Sequence, residues 1–315
     1  MSSPTVDTIL LNSGHRIPRL GLGTWQSPSE EVRGAVVAAI EAGYRHIDTA
    51  RVYKNEAAVG DGIQEAISRG LVRREDLFVT TKLWCTDHHP SRVLEACQKS
   101  LERLKLQYLD LYLVHWPVAW KPFPASQPDR TGLEPGMEPA PEIEKTPFFE
   151  TWRAMEDLVD RGLVRSIGVC NCTPIFMHDL LSYARIRPAV CQVEMHPYMP
   201  QPALVQWCNK EGIHVTAYSP LGSTDRVPRL LEDAVLREVG AKYGRSPAAV
   251  ALRWAYQREG ASTSVIPKSV HAARIRENFE LTGWALDQAD MDRLSSLPTS
   301  FRYVHPAQRF GVPLF

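Results

Sequence analysis

Short apolar or β-branched runs alternate along this chain with amphipathic stretches of about 10 to 15 residues, a pattern that demands repeated strand–helix units around a parallel sheet. The runs fall at Leu20–Thr24, Arg45–Asp48, Leu77–Lys82, Leu109–His115, Ser166–Cys170, Val190–Glu194, His214–Tyr218 and Ser264–Pro267. Helical patterns between and after them cover Ser29–Ala42, Asn55–Ser68, Pro90–Leu104, Pro147–Arg161, Pro174–Ala184, Pro202–Glu211, Pro247–Arg258 and Ala272–Leu281. Several open on a proline, which is tolerated in the first turn because that N–H has no helical partner. Eight such units predict an α/β fold of the (β/α)8 barrel type.

At 315 residues the chain suits one barrel domain spanning residues 1–315. Thr8–Asn12 and His15–Arg19, joined across Ser13-Gly14, predict an N-terminal β-hairpin that closes the barrel floor. Two accessory helices are expected at Arg229–Tyr243 and Asp287–Leu297. The one long irregular segment, Trp116 to Thr146, leaves the C-terminal end of the fourth run, so it is expected to roof a site together with the tail Phe301–Phe315.

Charge balance narrows the partners. Lys plus Arg and Asp plus Glu both number 36, so no basic excess argues for nucleic acid, and no basic amphipathic helix argues for a membrane surface. The N-terminal stretch lacks a basic start followed by an apolar core, and no run approaches the ~18 apolar residues of a membrane span. A cytoplasmic protein, monomeric and acting on a small molecule, is the expectation. The six cysteines (Cys85, Cys97, Cys170, Cys172, Cys191 and Cys208) show no paired metal-ligand spacing and are expected to be buried reduced thiols. No metal site is expected.

Asp48, Tyr53, Lys82 and His115 stand at or just past the ends of three successive strand-like runs. In a barrel those ends converge on one mouth. A tyrosine hydroxyl, with an ordinary pKa of about 10, donates a proton more readily beside a cation that stabilises its anion. Lys82 supplies that cation, Asp48 holds it, and a neutral His115 N–H would orient and polarise a carbonyl. These groups carry no redox chemistry, so a reduction would require a bound hydride donor such as a nicotinamide.

A Rossmann fingerprint is missing. Gly21-Leu22-Gly23 lacks its third glycine at Gln26, and Gly60-Asp61-Gly62 lies inside a helical pattern. A dinucleotide would therefore be held by the strand end 166–171, by Gln192, by Tyr218 as a stacking ring, and by Lys268, Ser269 and Arg274 at the start of the last barrel helix, where N–H groups also suit a phosphate. Trp25, Trp84, Trp116, Trp120 and Phe123 follow strand ends or lie in the long loop, and are expected to face the mouth as an apolar pocket.

From about Thr8 to Leu297 the chain resembles the aldo-keto reductases, through IPRLGLGTWQ, GYRHIDTARVYKNE, TKLW, DLYLVHWP, GVCN, QVEMHPY, AYSPLG and IPKS in that order. The resemblance implies an NADPH-dependent carbonyl reductase that converts aldehydes to alcohols, with NADPH/NADP+ held extended without a Rossmann fold. It implies Tyr53 as general acid, Asp48 and Lys82 tuning it, and His115 positioning the carbonyl. Asn171 and Gln192 would hold the carboxamide, Tyr218 would stack on nicotinamide, and Lys268, Ser269, Arg274, Glu277 and Asn278 would hold the adenosine phosphate. Thr24, Trp25, Asp48, Cys170, Ser219, Leu221 and Val270 would complete the cofactor contacts, and Trp25, Trp84, His115, Trp116 and Phe123 the substrate pocket.

Two positions depart from the family pattern. Cys170 replaces the usual serine before the carboxamide asparagine and is a weaker donor; His271 replaces a usual threonine or serine. The carbonyl substrate stays open among sugar, dicarbonyl and aromatic aldehydes. A non-enzymatic NADP(H)-binding auxiliary or structural protein is the alternative, against which the intact tetrad weighs. A barrel isomerase or lyase using the Lys268 cluster for substrate phosphate leaves QVEMHPY and AYSPLG unexplained.

Overall fold

The computed structural model describes residues 7–124, 126, 131, 141–223, 225–258, 263–304 and 310. A hairpin of β1 (Thr8–Leu10) and β2 (Arg16–Pro18) comes first. The parallel strands follow as β3 (Leu22–Gly23), β4 (His46–Asp48), β5 (Phe78–Leu83), β6 (Leu109–Val114), β7 (Val164–Cys170), β8 (Val190–Glu194), β9 (His214–Tyr218) and β10 (Thr263–Val265). They pair in sequence order from β3 to β10. The ring closes where Leu20 bridges Val265 and Gly23 bridges Lys268, with Gly21 N–H donating to the Val265 carbonyl (2.9 Å) and Gly23 N–H to that of Pro267 (3.0 Å). This is the expected (β/α)8 barrel.

Around it lie α1 (Ser29–Ala42), α2 (Glu56–Ser68), α3 (Pro90–Leu104), α4 (Phe148–Asp160), α5 (Pro174–Tyr183), α6 (Pro202–Lys210), α8 (Pro247–Gln257) and α9 (Ala272–Phe279). The accessory helices are α7 (Ala234–Tyr243) and α10 (Gln288–Ser295). The helix expected over Arg229–Tyr243 is broken at Asp233. That residue is extended and caps α7, its carboxylate accepting from Val235 N–H (2.8 Å) and Leu236 N–H (3.4 Å), so the preceding turn is a separate 3-10 segment, Leu230–Glu232. Asn55 likewise stays outside α2, because its amide is committed elsewhere, to the Thr24 and Ser27 carbonyls (2.9 and 3.0 Å).

Strand pleating sorts the core into two layers. On β5, Val79 and Leu83 join the large cluster shared with the helices, whereas Phe78 packs inside the barrel with Leu111, Leu113, Cys170 and Val190. Leu11 and Ile17 of the hairpin region join that interior cluster, so the hairpin plugs the floor as expected. Gly168 shows how tight the interior is: a Cβ there would lie 2.3 Å from the Val190 carbonyl oxygen. All six cysteines are buried with free thiols. Among the described residues no helix is long and apolar enough to cross a membrane.

The barrel interior also holds polar groups. His46 Nε2 pairs with Thr80 Oγ1 (3.0 Å), and His214 Nε2 with Ser264 Oγ (2.8 Å). Burial pushes His46 down to about 4 and His214 down to about 3. Both are therefore neutral when folded, while the unfolded residues take up protons below their ordinary 6.5. Their stability contribution is complete above that value and is lost as pH falls from there towards the folded values. Each histidine should cost on the order of 2 kcal/mol by about pH 5. Urea unfolding near pH 7.5 and pH 5 is thus expected to show a smaller acid loss in His214→Asn than in the wild-type chain; equal losses would contradict it.

Candidate active site

Asp48 ends β4, Lys82 lies near the end of β5, and His115 directly follows β6, where its N–H donates to the Leu83 carbonyl (3.0 Å). Tyr53 ends the short 3-10 turn Arg51–Tyr53, which is stopped by Lys54 in the left-handed region at φ 58°. The three strand ends and this turn bring the four side chains to one rim.

Lys82 is the hub. Its ammonium donates to Asp48 Oδ1 (2.6 Å), the Thr49 carbonyl (2.9 Å) and Tyr53 Oη (3.3 Å), so each of its three protons has an acceptor. Asp48 Oδ2 accepts from Gln192 Nε2 (2.8 Å), and the Asp48 carbonyl accepts from the Thr24 N–H and hydroxyl (3.1 and 3.0 Å). Burial works against the Lys82 charge, but Asp48 and Tyr53 outweigh it and hold the ammonium above its ordinary value. Burial pushes the Tyr53 phenol up to about 12, with Lys82 pulling it back down and Asp48 pushing it up. Lys82 thus moderates the phenol rather than bringing it near neutrality.

The His115 ring meets Tyr53 edge-on at 5.8 Å and Trp84 at 5.2 Å. Burial, then the Lys82 charge, hold it well below the ordinary histidine range, so it is a neutral imidazole. Its Nδ1 is buried with no acceptor among the described residues, which leaves Nε2 to carry the proton.

A cavity of about 620 Å³ opens on these groups. Of the residues expected from sequence, Thr24, Trp25, Asp48, Tyr53, Trp84, His115, Trp116, Asn171, Gln192, Tyr218, Ser219 and Lys268 line it; Lys82 lies just behind Asp48 and Tyr53. Asn171 and Ser219 adopt left-handed backbones at their strand ends, φ 60° and 47°. Asn171 Nδ2 donates to the His115 carbonyl (2.9 Å), and Tyr218 donates its hydroxyl to Asn171 Oδ1 (2.8 Å).

Others are not on that wall. Cys170 points into the barrel interior and packs with Leu113 and Val190, following the inward register of Ser166 and Gly168 on β7. Trp120 is fully buried behind Trp84, its ring 5.6 Å away, rather than at the mouth. Phe123 is half-buried off the wall. Leu221, Val270, Arg274, Glu277 and Asn278 do not line the cavity, nor does Ser269, whose hydroxyl accepts from His271 N–H (3.1 Å). Glu277 accepts from Ser246 (2.6 Å) and Asn278 is buried. Lys268 and Arg274 are exposed without an ion pair among the described residues.

Val52, Arg226, Tyr303, Val304 and Phe310, not singled out from the sequence, also line the cavity, as does Ile266 of the Ile266-Pro267-Lys268-Ser269 run. Phe310 packs on Trp116 (4.9 Å) and Trp120 (4.7 Å). The roofing expected of the tail thus holds at Tyr303, Val304 and Phe310; residues 305–309 and 311–315 lie outside the described residues. In the loop after β6, Trp116 lines the cavity and Trp120 bridges Ile143, while 125, 127–130 and 132–140 lie outside them. Aromatic residues in a tail with no helical or strand period were the available signal; Arg226 carried none.

A dinucleotide fits the residues present. The carboxamide side chains of Asn171 and Gln192 and the Tyr218 ring share the cavity with Tyr53 and His115. Lys268 continues it towards α9, whose first turn contains no acidic residue and no side-chain cap. Among the described residues no cluster of His, Cys, Asp or Glu is arranged to hold a metal ion.

Residues 19–298 match the model of the aldo/keto reductase family. The chain is 42% identical over 313 residues to mouse aldo-keto reductase family 1 member A1, covering 96% of this chain and 92% of that protein. It is 43% identical to the human protein of the same name over 309 residues, covering 95% and 91%. The aldose reductase structure from Schistosoma japonicum superimposes with a TM-score of 0.88 at 39% identity, covering 97% of this chain and 96% of that one. Strand ends that assemble the tyrosine, lysine, aspartate and histidine, a fold match and a family match over nearly the whole chain agree: this protein belongs to the aldo/keto reductase family of carbonyl-acting oxidoreductases.

Proposed function

We infer that the protein is an NADPH-dependent reductase of aldehydes. The observation that carries this reading is the Tyr53 hydroxyl at the cavity wall, 3.3 Å from a buried lysine that is itself locked to Asp48. Bound NADPH would supply the hydride. Asn171, Gln192 and Tyr218 would orient its nicotinamide end, and Lys268 with Arg274 would hold the phosphate on its adenosine ribose. The carbonyl oxygen would sit between Tyr53 and His115, within reach of the phenol and of the Nε2 proton. As negative charge grows on that oxygen, His115 polarises it and Tyr53 releases its proton to it. Lys82 then faces the forming phenolate, and Asp48 keeps the ammonium aimed.

Trp25, Val52, Trp84, Trp116 and Phe310 give the substrate end an aromatic and apolar wall. That wall favours aldehydes with a flat or apolar substituent over strongly hydrated sugars. The site makes a purely structural cofactor-binding role the lesser reading, because such a role has no use for an aimed phenol and a paired ammonium.

Tyr53→Phe is expected to lose aldehyde reduction by a factor on the order of 10² or more, the scale of general acid catalysis, while still binding NADPH. Reduction monitored by nicotinamide absorbance, with binding followed by fluorescence, checks this; retained turnover removes Tyr53 from the role. For the cofactor, Lys268→Met combined with Arg274→Met should weaken NADPH at least ~10²-fold and leave NADH nearly unchanged, since charge-assisted hydrogen bonds are worth about 1.5–3 kcal/mol each. Equal wild-type affinity for the two cofactors in a fluorescence titration would defeat this placement of the phosphate.

A further inference from the structure

Glu194, fully buried at the end of β8, takes no part in the arrangement around Lys82, yet both of its carboxylate oxygens are hydrogen-bonded. Oε1 pairs with His196 Nε2 (3.0 Å) and accepts the Tyr303 N–H (2.5 Å), while Oε2 accepts the Val304 N–H (3.0 Å). An acidic side chain on the barrel rim thus holds the backbone of the tail where Tyr303 and Val304 form cavity wall. Charge-assisted bonds to backbone N–H groups in a buried setting are among the stronger ones a fold contains.

Tyr303 carries the connection further. Its ring packs edge-on against His196 and Phe301, both at 5.0 Å. Its hydroxyl donates to the Pro228 carbonyl (2.6 Å) and accepts the Leu230 N–H (3.1 Å), two groups of the loop after β9. At the other end of that loop Gly222, at φ 71°, lies so close that a Cβ would meet the Tyr303 ring at 2.9 Å. The same loop contributes Ser219 and Arg226 to the cavity.

We propose that Glu194 and Tyr303 are positioning residues that latch the loop after β9 to the tail, so that the cofactor side and the substrate side of the cavity are set by one element. The assignment of the two sides rests on the NADPH reading above. The physical reason is that the loop is tied to the tail by the Tyr303 hydroxyl, and the tail to the barrel rim by the Glu194 carboxylate, which holds the Tyr303 backbone, so one residue is common to both. Loosening the latch would free cofactor and change the substrate wall together.

Hydrogen–deuterium exchange on the cofactor-free protein reads the latch independently of any reaction. Tyr303→Phe keeps the ring and removes the hydroxyl, so amide exchange across residues 225–230 should rise about tenfold, equivalent to ~1.4 kcal/mol and to the worth of one or two hydrogen bonds. Glu194→Gln should raise exchange in residues 301–304 and also in 225–230, which its carboxylate does not touch; that remote effect is the result a purely local tie would not produce. In stopped-flow fluorescence both variants should release NADPH about tenfold faster, the same ~1.4 kcal/mol, and should alter relative kcat/KM among aldehydes. Unchanged exchange at 225–230 in Glu194→Gln, or a shift in aldehyde KM with no change in NADPH release, would overturn the proposal. A wild-type protein that binds no NADPH would instead defeat the reductase reading, and exchange alone would then decide the latch.

Discussion

A lysine ammonium buried to near-zero exposure, held 2.6 Å from an aspartate, is the constraint around which the site is arranged. Removing one partner of such a pair leaves an uncompensated buried charge, at about 3–5 kcal/mol. The surrounding bonds follow from that cost. Thr49 offers its carbonyl, Gln192 occupies the second Asp48 oxygen, and Thr24 fixes the Asp48 backbone, so neither charge is short of a partner. Tyr53 takes the lysine's remaining donor direction, and a phenol beside a locked cation is the chemical outcome.

The barrel makes this arrangement possible through register. Parallel pairing sets Asp48 beside Thr80, Thr80 beside Leu111, and Lys82 beside Leu113, so residues two apart on adjacent strands point to the same interior. Loops then add what strands cannot. Asn55 ties the loop after β3 to the turn that carries Tyr53, and Tyr303 joins the tail to the loop after β9. Deeper in the barrel, His46 and His214 are paired to hydroxyls and kept neutral by burial.

Much of this was legible from residues alone, for identifiable reasons. Strand runs that end in Asp48 and Lys82, with His115 one residue past Val114, announce a barrel mouth because pleating and hydrophobic alternation are local signals. Proline-opened helices at Pro90, Pro174, Pro202 and Pro247 were equally local. Three-dimensional competition was not legible. Asp233 caps a helix and breaks an apparently continuous pattern; Trp120 is drawn behind Trp84 by packing; Cys170 turns inward because the parity of β7 decides its face. Arg226, Tyr303 and Phe310 reach the cavity from segments with no period to read, and Glu194 looked like one more polar strand end.

The paired Lys82 cation lowers the pKa of the Tyr53 phenol against the effect of burial. Fluorotyrosine placed at position 53, whose phenol titrates lower than that of tyrosine, brings the ionisation into a range the folded protein tolerates, and fluorine NMR can follow it with Lys82 present and in Lys82→Met. Because Lys82 lowers a phenol that burial raises, the titration midpoint should be higher in Lys82→Met than in the chain that keeps the lysine. A midpoint that stays put or falls would contradict it.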